Sequence, residues 1–304
     1  QCRAMPRGVS SRHMTPDPPS SLYTQHERGF GENRFVYPVL SRRSGGISIG
    51  VNLNLDKVCN FDCVYCQVNR VSQSETRFVD TPQLLQELRD TLALAVSGQL
   101  FAQGKFHDTP PALRRLTDIA FSGDGEPTAH RNIDEVVAAC ADLKRQLRLD
   151  AVPLVLITNA SMFHRAHVQR ALRTLDANQG EIWAKLDAGT AAYYQRVNRS
   201  PFRFEQILQN IMQAARLRPL VIQTLLMRLE GQPPPVSEWE ALCDRLQEIT
   251  AAGGQLKLVQ IYTVARPPAE RYVTPLTPDE VDRIVAFVRQ RTGLSVAGFY
   301  GADA

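Results

Sequence analysis

The sequence predicts an α/β fold: a partial (β/α)6 barrel of parallel strands with helices outside. Three observations predict it. From Gly46 onward, six strand-like segments alternate with six helix-like ones, the order that gathers parallel strands into one sheet and lays helices over its outer face. Six units are too few to close an eight-fold barrel, and right-handed crossovers curl such an open sheet one way. The residues able to do chemistry fall at the carboxyl ends of the strands, where barrels of this kind gather their active sites.

Each element has its own reason. Residues 1–35 are rich in Ser, Pro, Arg and Gly, show no period, and are expected to form a mobile N-terminal tail or arm. Residues 36–304 are expected to form a single domain. Phe35 to Leu40 reads as a short extended segment packed on it. Ile47 to Leu53 alternates apolar with small or polar residues and reads as the first strand of the barrel. Thr81-Pro82 opens a helix, with Thr81 expected as N-cap and Pro82 at the first helical position. Leu84, Leu88 and Leu92 line one face of it. Leu116 to Phe121 is the next strand, followed by a helix capped by Asn132 with Glu135 in the capping-box position. Leu154 to Thr158 is a strand, and residues 163–175 its helix. Ile182 to Leu186 is a strand, and Phe204, Ile207, Leu208 and Ile211 mark the helix after it. Leu220 to Met227 leads to a helix expected to start at Ser237, with Glu240 in the box position. Leu256 to Val264 leads to a last helix opened by Thr277-Pro278, with Glu280 in the box position. A short strand, Ser295 to Tyr300, closes the chain.

Composition bounds the function. The chain has 304 residues, 43% of them hydrophobic, which is ample for a core. A formal net charge of +4, with no dense basic run, leaves nucleic acid open as a partner without pointing to it. No apolar run is long enough to span a bilayer, and no signal-peptide pattern stands out. The six cysteines are unevenly spaced and do not form a disulfide framework. Cys140 and Cys243 fall on apolar helix faces and read as core residues. The expected compartment is therefore the cytoplasm, where thiols stay reduced.

The densest chemistry lies in Cys59-Asn60-Phe61-Asp62-Cys63-Val64-Tyr65-Cys66, with C-x3-C-x2-C spacing. Thiolates are soft ligands suited to iron–sulfur clusters, zinc or copper(I). Zinc would want a fourth Cys or His, and the next histidine is His107. A cubane cluster normally takes four cysteines, so three would leave one iron open to a substrate or cofactor. The strand ends carry the other candidates. Ser122, Gly123, Asp124, Gly125 and Glu126 form a turn where glycines permit close backbone approach. Asn159 sits at the next strand end, as a ligand contact or as a helix cap. Lys185 and Asp187 alternate with apolar residues and point into the barrel, where each needs the other or a ligand. Gln223, Gln260, Tyr262 and Arg266 suggest a polar-lined cavity for a substrate, with Arg266 suited to an anionic group. Tyr193, Tyr194, Arg196 and Arg199 make a short aromatic–basic patch, read as a loop face or a nucleic-acid contact.

The cysteine stretch resembles the cluster motif of the radical S-adenosylmethionine (SAM) superfamily, with Tyr65 as the usual aromatic before the third cysteine. Ser122 to Thr128 resembles the superfamily's Gly-Gly-Glu-Pro segment. Together with Arg266-Pro267-Pro268 it is similar to a subgroup that includes the wyosine-base-forming tRNA enzymes. The resemblance implies a radical SAM barrel with one [4Fe-4S] cluster on Cys59, Cys63 and Cys66. It implies SAM held by Tyr65, the Ser122–Glu126 turn, Asn159, Lys185 and Asp187. It further implies an external one-electron donor of flavodoxin or ferredoxin type, and hydrogen abstraction from a substrate by a 5′-deoxyadenosyl radical. Rival readings are an activase that installs a glycyl radical on a partner protein, a tRNA base-modifying enzyme, and a metal-containing binding protein on a degraded barrel.

Overall fold

The computed structural model describes residues 30–68, 70 and 78–301. Most of the expected N-terminal arm, residues 1–29 with Cys2, lies outside the described residues. Eight strands form one sheet in the order β1-β2-β3-β4-β5-β6-β8-β10. They are β1 (Val36–Ser41), β2 (Gly46–Val51), β3 (Leu116–Phe121), β4 (Leu154–Thr158), β5 (Glu181–Lys185), β6 (Leu220–Leu225), β8 (Leu256–Tyr262) and β10 (Val296–Phe299). All neighbours are parallel except β1 against β2, so the extended segment expected near residue 35 is an antiparallel edge strand. Two short strands, β7 (Arg228–Leu229) and β9 (Val273–Thr274), pair separately as a small ribbon. The main sheet curls as an open half-barrel, with β1 and β10 at its two free edges.

The helices follow the strands as expected: α1 (Thr81–Ser97), α2 (Ile133–Gln146), α3 (Ala166–Asp176), α4 (Ala191–Asn198), α5 (Phe204–Leu217), α6 (Val236–Ala251) and α7 (Pro278–Thr292). Their apolar stripes bury against the outer face of the sheet, as Val168, Ala171, Leu172 and Leu175 of α3 do. α4 is an extra short helix between β5 and α5. The last helix carries the full capping box of Thr277 and Glu280.

Three other starts differ from expectation. Asp80, not Thr81, caps α1 by accepting the Gln83 N–H, because a carboxylate one residue earlier outcompetes the hydroxyl. Asn132 stands at the N-cap of α2 but its side chain makes no capping bond. α6 begins at Val236 after Pro235, one residue before Ser237, and no side chain caps it. Proline fixes the extended entry there, and Glu238 is drawn away to the loop after β5.

A second, smaller core fills the concave side of the sheet. Ala120, Val155, Trp183 and Val221 pack together there, with Ile157 and Leu258 against them. Because side chains alternate across a strand, the next inward residues on the same strands are polar: Ser122, Asn159, Lys185 and Gln223. The barrel thus has an apolar belt below a polar rim.

Candidate functional site

The cysteine loop leaves β2 and is clamped on two sides. The Val64 N–H donates to the Val197 carbonyl at 3.0 Å and the Asp62 N–H to the Asn198 carbonyl at 3.3 Å, both at the end of α4. From the other side the Ala269 N–H donates to the Cys66 carbonyl at 2.7 Å. Phe61 packs edge-on against Tyr194, their ring centroids 5.9 Å apart. Held so, Cys59, Cys63 and Cys66 all face one cavity of about 310 Å³ at the carboxyl ends of the strands.

The donor set fits a cluster. All three thiols are free of disulfides. Asn198 Nδ2 lies 3.5 Å from Cys63 Sγ and an Arg70 Nη2 donor lies 3.5 Å from Cys66 Sγ, contacts that favour charge on sulfur. Burial works the other way, raising the Cys59 thiol and pushing the Cys63 thiol up to about 11, so ligation must drive deprotonation. Among the described residues no three His, Cys, Asp or Glu converge on one ion-sized point. The cysteines of a cubane need no such convergence, since each ligates a different iron.

The turn after β3 is pressed against this loop. A Cβ on Gly123 would stand 2.1 Å from Asn52 Oδ1, and one on Gly125 would stand 2.2 Å from the Val58 carbonyl oxygen. The glycines therefore bring two backbones together beside Cys59. Asn52 fixes the turn further, accepting the Asp124 N–H at 3.1 Å and donating to the Asp124 carboxylate at 2.7 Å. Tyr37 of β1 donates to the Ser122 carbonyl at 3.1 Å. Glu126 is buried, and its oxygens accept from Thr128, from Thr158 Oγ1 at 2.6 Å and from the Asn159 N–H at 2.7 Å. Burial raises its carboxyl above the ordinary range. Glu126 thus ties the β3 turn to the end of β4.

Asn159 plays a matching part. Its Oδ1 accepts the Ser161 N–H at 3.1 Å, which closes a turn and not the helix cap expected as one alternative, since α3 begins only at Ala166 behind Arg165; its Nδ2 donates at 2.8 Å to Asn60 of the cysteine loop. At the end of β5, Asp187 accepts from Tyr65 Oη, from Asn198 Nδ2 at 3.0 Å and from the Leu225 N–H at 2.9 Å. Lys185 reaches over the Tyr65 ring, 4.6 Å from its centroid, and donates to Tyr65 Oη at 3.1 Å. Its ammonium is 3.9 Å from Asp187, so the expected pairing of the two is present through the tyrosine as well as directly. The loop that carries Asp187 is braced by Glu238 of α6, which accepts the Gly189 and Thr190 N–H groups and the Thr190 hydroxyl.

Level with Lys185 on the next two strands, Gln223 donates to Gln260 Oε1 at 2.9 Å. Gln223, Tyr262 and Arg266 line the cavity; Gln260 lies beneath its wall. The expected aromatic–basic patch does not form a surface. α4 turns Tyr193 and Tyr194 into the core, and Arg199 pairs with Glu270 at 2.6 Å and with Asp62 at 3.5 Å. Sequence reasoning missed Asn52, Asn60 and Asn198, which brace the loop, and Arg43 and Asp118, which line the deep end of the cavity. None carries a signal of its own, because each acts through residues distant in the chain.

The family description "Radical SAM superfamily" matches residues 53–232. The UPF0026 protein of Methanocaldococcus jannaschii is 23% identical over 261 residues, covering 84% of this chain and 71% of its own length. A UPF0026 protein of Synechocystis is 29% identical over 201 residues, 64% of each chain. Among solved structures, TYW1 with a lysine-pyruvate adduct bound is 16% identical with a TM-score of 0.49, covering 80% of this chain and 73% of that one. Methylornithine synthase is 11% identical with a TM-score of 0.47, covering 82% and 70%.

Proposed function

The chain belongs to the radical SAM superfamily, and on that premise we propose that it is an enzyme that abstracts hydrogen from a small substrate through SAM-derived radical chemistry. One observation carries the reading: the three cysteines, the Gly123–Gly125 turn and Lys185 open on the same cavity. Superfamily enzymes use a [4Fe-4S] cluster and SAM. When bound, the cluster would supply the one-electron reduction by which SAM is cleaved. Cys59, Cys63 and Cys66 would hold it.

The protein's own residues divide the remaining work. The backbone of the turn from Ser122 to Gly125, fixed by Asn52, offers polar groups to the amino end of SAM. Lys185 offers a cation to its carboxylate, held in place by Tyr65 and Asp187. Glu126, Asn159 and Asp187 act as positioning residues, since their oxygens are taken up within the protein. Ala120, Ile157 and Trp183 give the cavity wall an apolar belt below the rim, the kind of lining that shields a reactive radical. The electron comes from an external donor, as superfamily members generally require; we assign a flavodoxin or ferredoxin to that part. No helix among the described residues is long and apolar enough to cross a membrane.

The test is metal content. Native protein reconstituted anaerobically with iron and sulfide should hold about four irons per chain, and SAM should change the spectrum of the reduced cluster. Replacing any one of Cys59, Cys63 or Cys66 with Ala should abolish both. A single-cysteine variant that keeps native iron and the response to SAM would sink the assignment.

A further inference from the structure

We propose that Arg43 anchors a carboxylate of the substrate, so that the enzyme acts on a small, elongated carboxylic acid. This rests on the reading of the cavity above as the site of hydrogen abstraction.

The cavity does not end at the polar rim. It continues down the concave face past Ser48 and Asp118 to the turn between β1 and β2, residues Ser41 to Ser44. A turn between two strands ordinarily faces water. Here the curl of the sheet puts β5 and β8 across from it, and Arg43 extends inward. Its guanidinium carbon lies 5.5 Å from the centroid of the Trp183 ring and 5.1 Å from that of Tyr262. Such stacking is favourable for the cation, but rings satisfy no N–H donor. Arg43 makes no hydrogen bond or ion pair to any described residue. With rings against it, the guanidinium offers its N–H edge, the fork that matches a planar carboxylate in two parallel bonds.

A second polar group in the same cavity lacks a partner. Gln223 is fully buried and lines the cavity, its amide nitrogen bonds Gln260, and its Oε1 accepts nothing. A buried acceptor left so costs about 1–3 kcal/mol, which a ligand donor would relieve. The cavity therefore offers a cationic fork and, nearer the rim, one neutral acceptor. Asp118 shares the wall, and its charge acts on Arg43. A phosphate dianion would bring two negative charges toward that carboxylate, a carboxylate group one.

Depth sets the length. Asp118 lies four residues below Ser122 along the strand line, about 13 Å at roughly 3.3 Å per residue. The Arg43 guanidinium stands higher, against Trp183, two residues below Lys185 on β5, so a group it holds is roughly 7 Å below the rim, a reach of roughly five bonds.

The chain has two tryptophans, and Trp239 packs edge-on against Phe287 between two outer helices. In a Trp239→Phe background, Trp183 alone reports on the chamber. The experiment titrates this protein with adipate, with its diamide and with inorganic phosphate, following Trp183 emission. Adipate should give a saturable change, the diamide should bind at least tenfold more weakly, and Arg43→Met should weaken adipate at least tenfold. Arg43→Lys should fall between, since an ammonium keeps the charge and loses the fork. No saturable change with adipate, equal binding of acid and diamide, no effect of Arg43→Met, or tighter binding of phosphate would each overturn the proposal. The readout needs no cluster. Its failure in a protein that still cleaves SAM would remove the anchor and leave the radical reading; the reverse pair of results would do the opposite.

Discussion

Replacing Gly125 with alanine tests how the cysteine loop is seated. The new methyl carbon would lie 2.2 Å from the Val58 carbonyl oxygen and 2.8 Å from Asn54 Cβ and Cγ. Carbon and oxygen in contact normally sit no closer than about 3.3 Å, so about 1 Å must open. Gly125 is not among the residues with positive φ, so the cost is steric. The clash falls on backbone, and the backbone of Val58 leads straight into Cys59. Overpacking of this kind costs about 1–3 kcal/mol, or roughly 2–6 °C in Tm for a chain of this size. The larger effect should be on the metal: the loop yields by shifting Cys59, and reconstituted iron should fall well below the native level. Gly253→Ala is the control. Gly253 has φ +83° and nothing within 4 Å of a new Cβ, so its cost of about 1 kcal/mol is backbone strain alone and its iron should be native. The assays are thermal unfolding and iron per chain. A Gly125→Ala protein with native iron and native Tm would refute the reasoning, as would an equal loss of iron in both variants.

Lys144 is fully buried and donates to the Val152 carbonyl at 2.9 Å, the Asn178 carbonyl at 3.0 Å and Gln179 Oε1 at 2.9 Å. Lys144→Met leaves the buried Asn178 carbonyl unpaired, while water can reach Gln179 and Val152, and urea unfolding should show a loss of about 1–3 kcal/mol. Glu238→Ala removes the acceptor for three donors of the loop after β5; it should cost about 2–4 kcal/mol and weaken SAM binding by loosening Asp187, measured by equilibrium dialysis. Burial raises the Asp118 carboxyl above its ordinary range, against the bonds from Ser48, Ser44 and Thr117 and the charge of Arg43. The folded state then holds that proton more tightly than the unfolded one, so native stability falls relative to Asp118→Asn as pH rises through the unfolded and folded pKa values. Urea unfolding between pH 4 and pH 7 should show the gap moving in favour of the variant; a gap that is flat or moves the other way counts against it.

The fold is legible because its signals are redundant. Strands buried on both faces read as apolar runs, and each is followed by an amphipathic helix, so losing one cap leaves the order intact. The caps themselves were harder, since Asp80 and Thr81, or Pro235 and Ser237, are neighbours that compete for one role. The cysteines are legible because a cluster motif is local. The polar strand ends are half legible: alternation points Asp187 inward, and the turn after β3 and the end of β4 mark Glu126 and Asn159 as candidates, but nothing in the sequence shows that their oxygens are already engaged by Thr158, Ser161 and Leu225. Arg43 is the opposite case. In the sequence it sits in an Arg-Arg-Ser turn that looks solvated, and only the curl of the sheet brings Trp183 and Tyr262 to meet it.

The measurement that bears most directly on the account is SAM cleavage. The native protein is reconstituted anaerobically, reduced with dithionite, mixed with SAM, and assayed for 5′-deoxyadenosine by mass spectrometry. The account predicts 5′-deoxyadenosine in the native protein and none in Cys63→Ala. A fully loaded, reducible native cluster that binds SAM and yields no 5′-deoxyadenosine, with or without small carboxylic acids present, would contradict it.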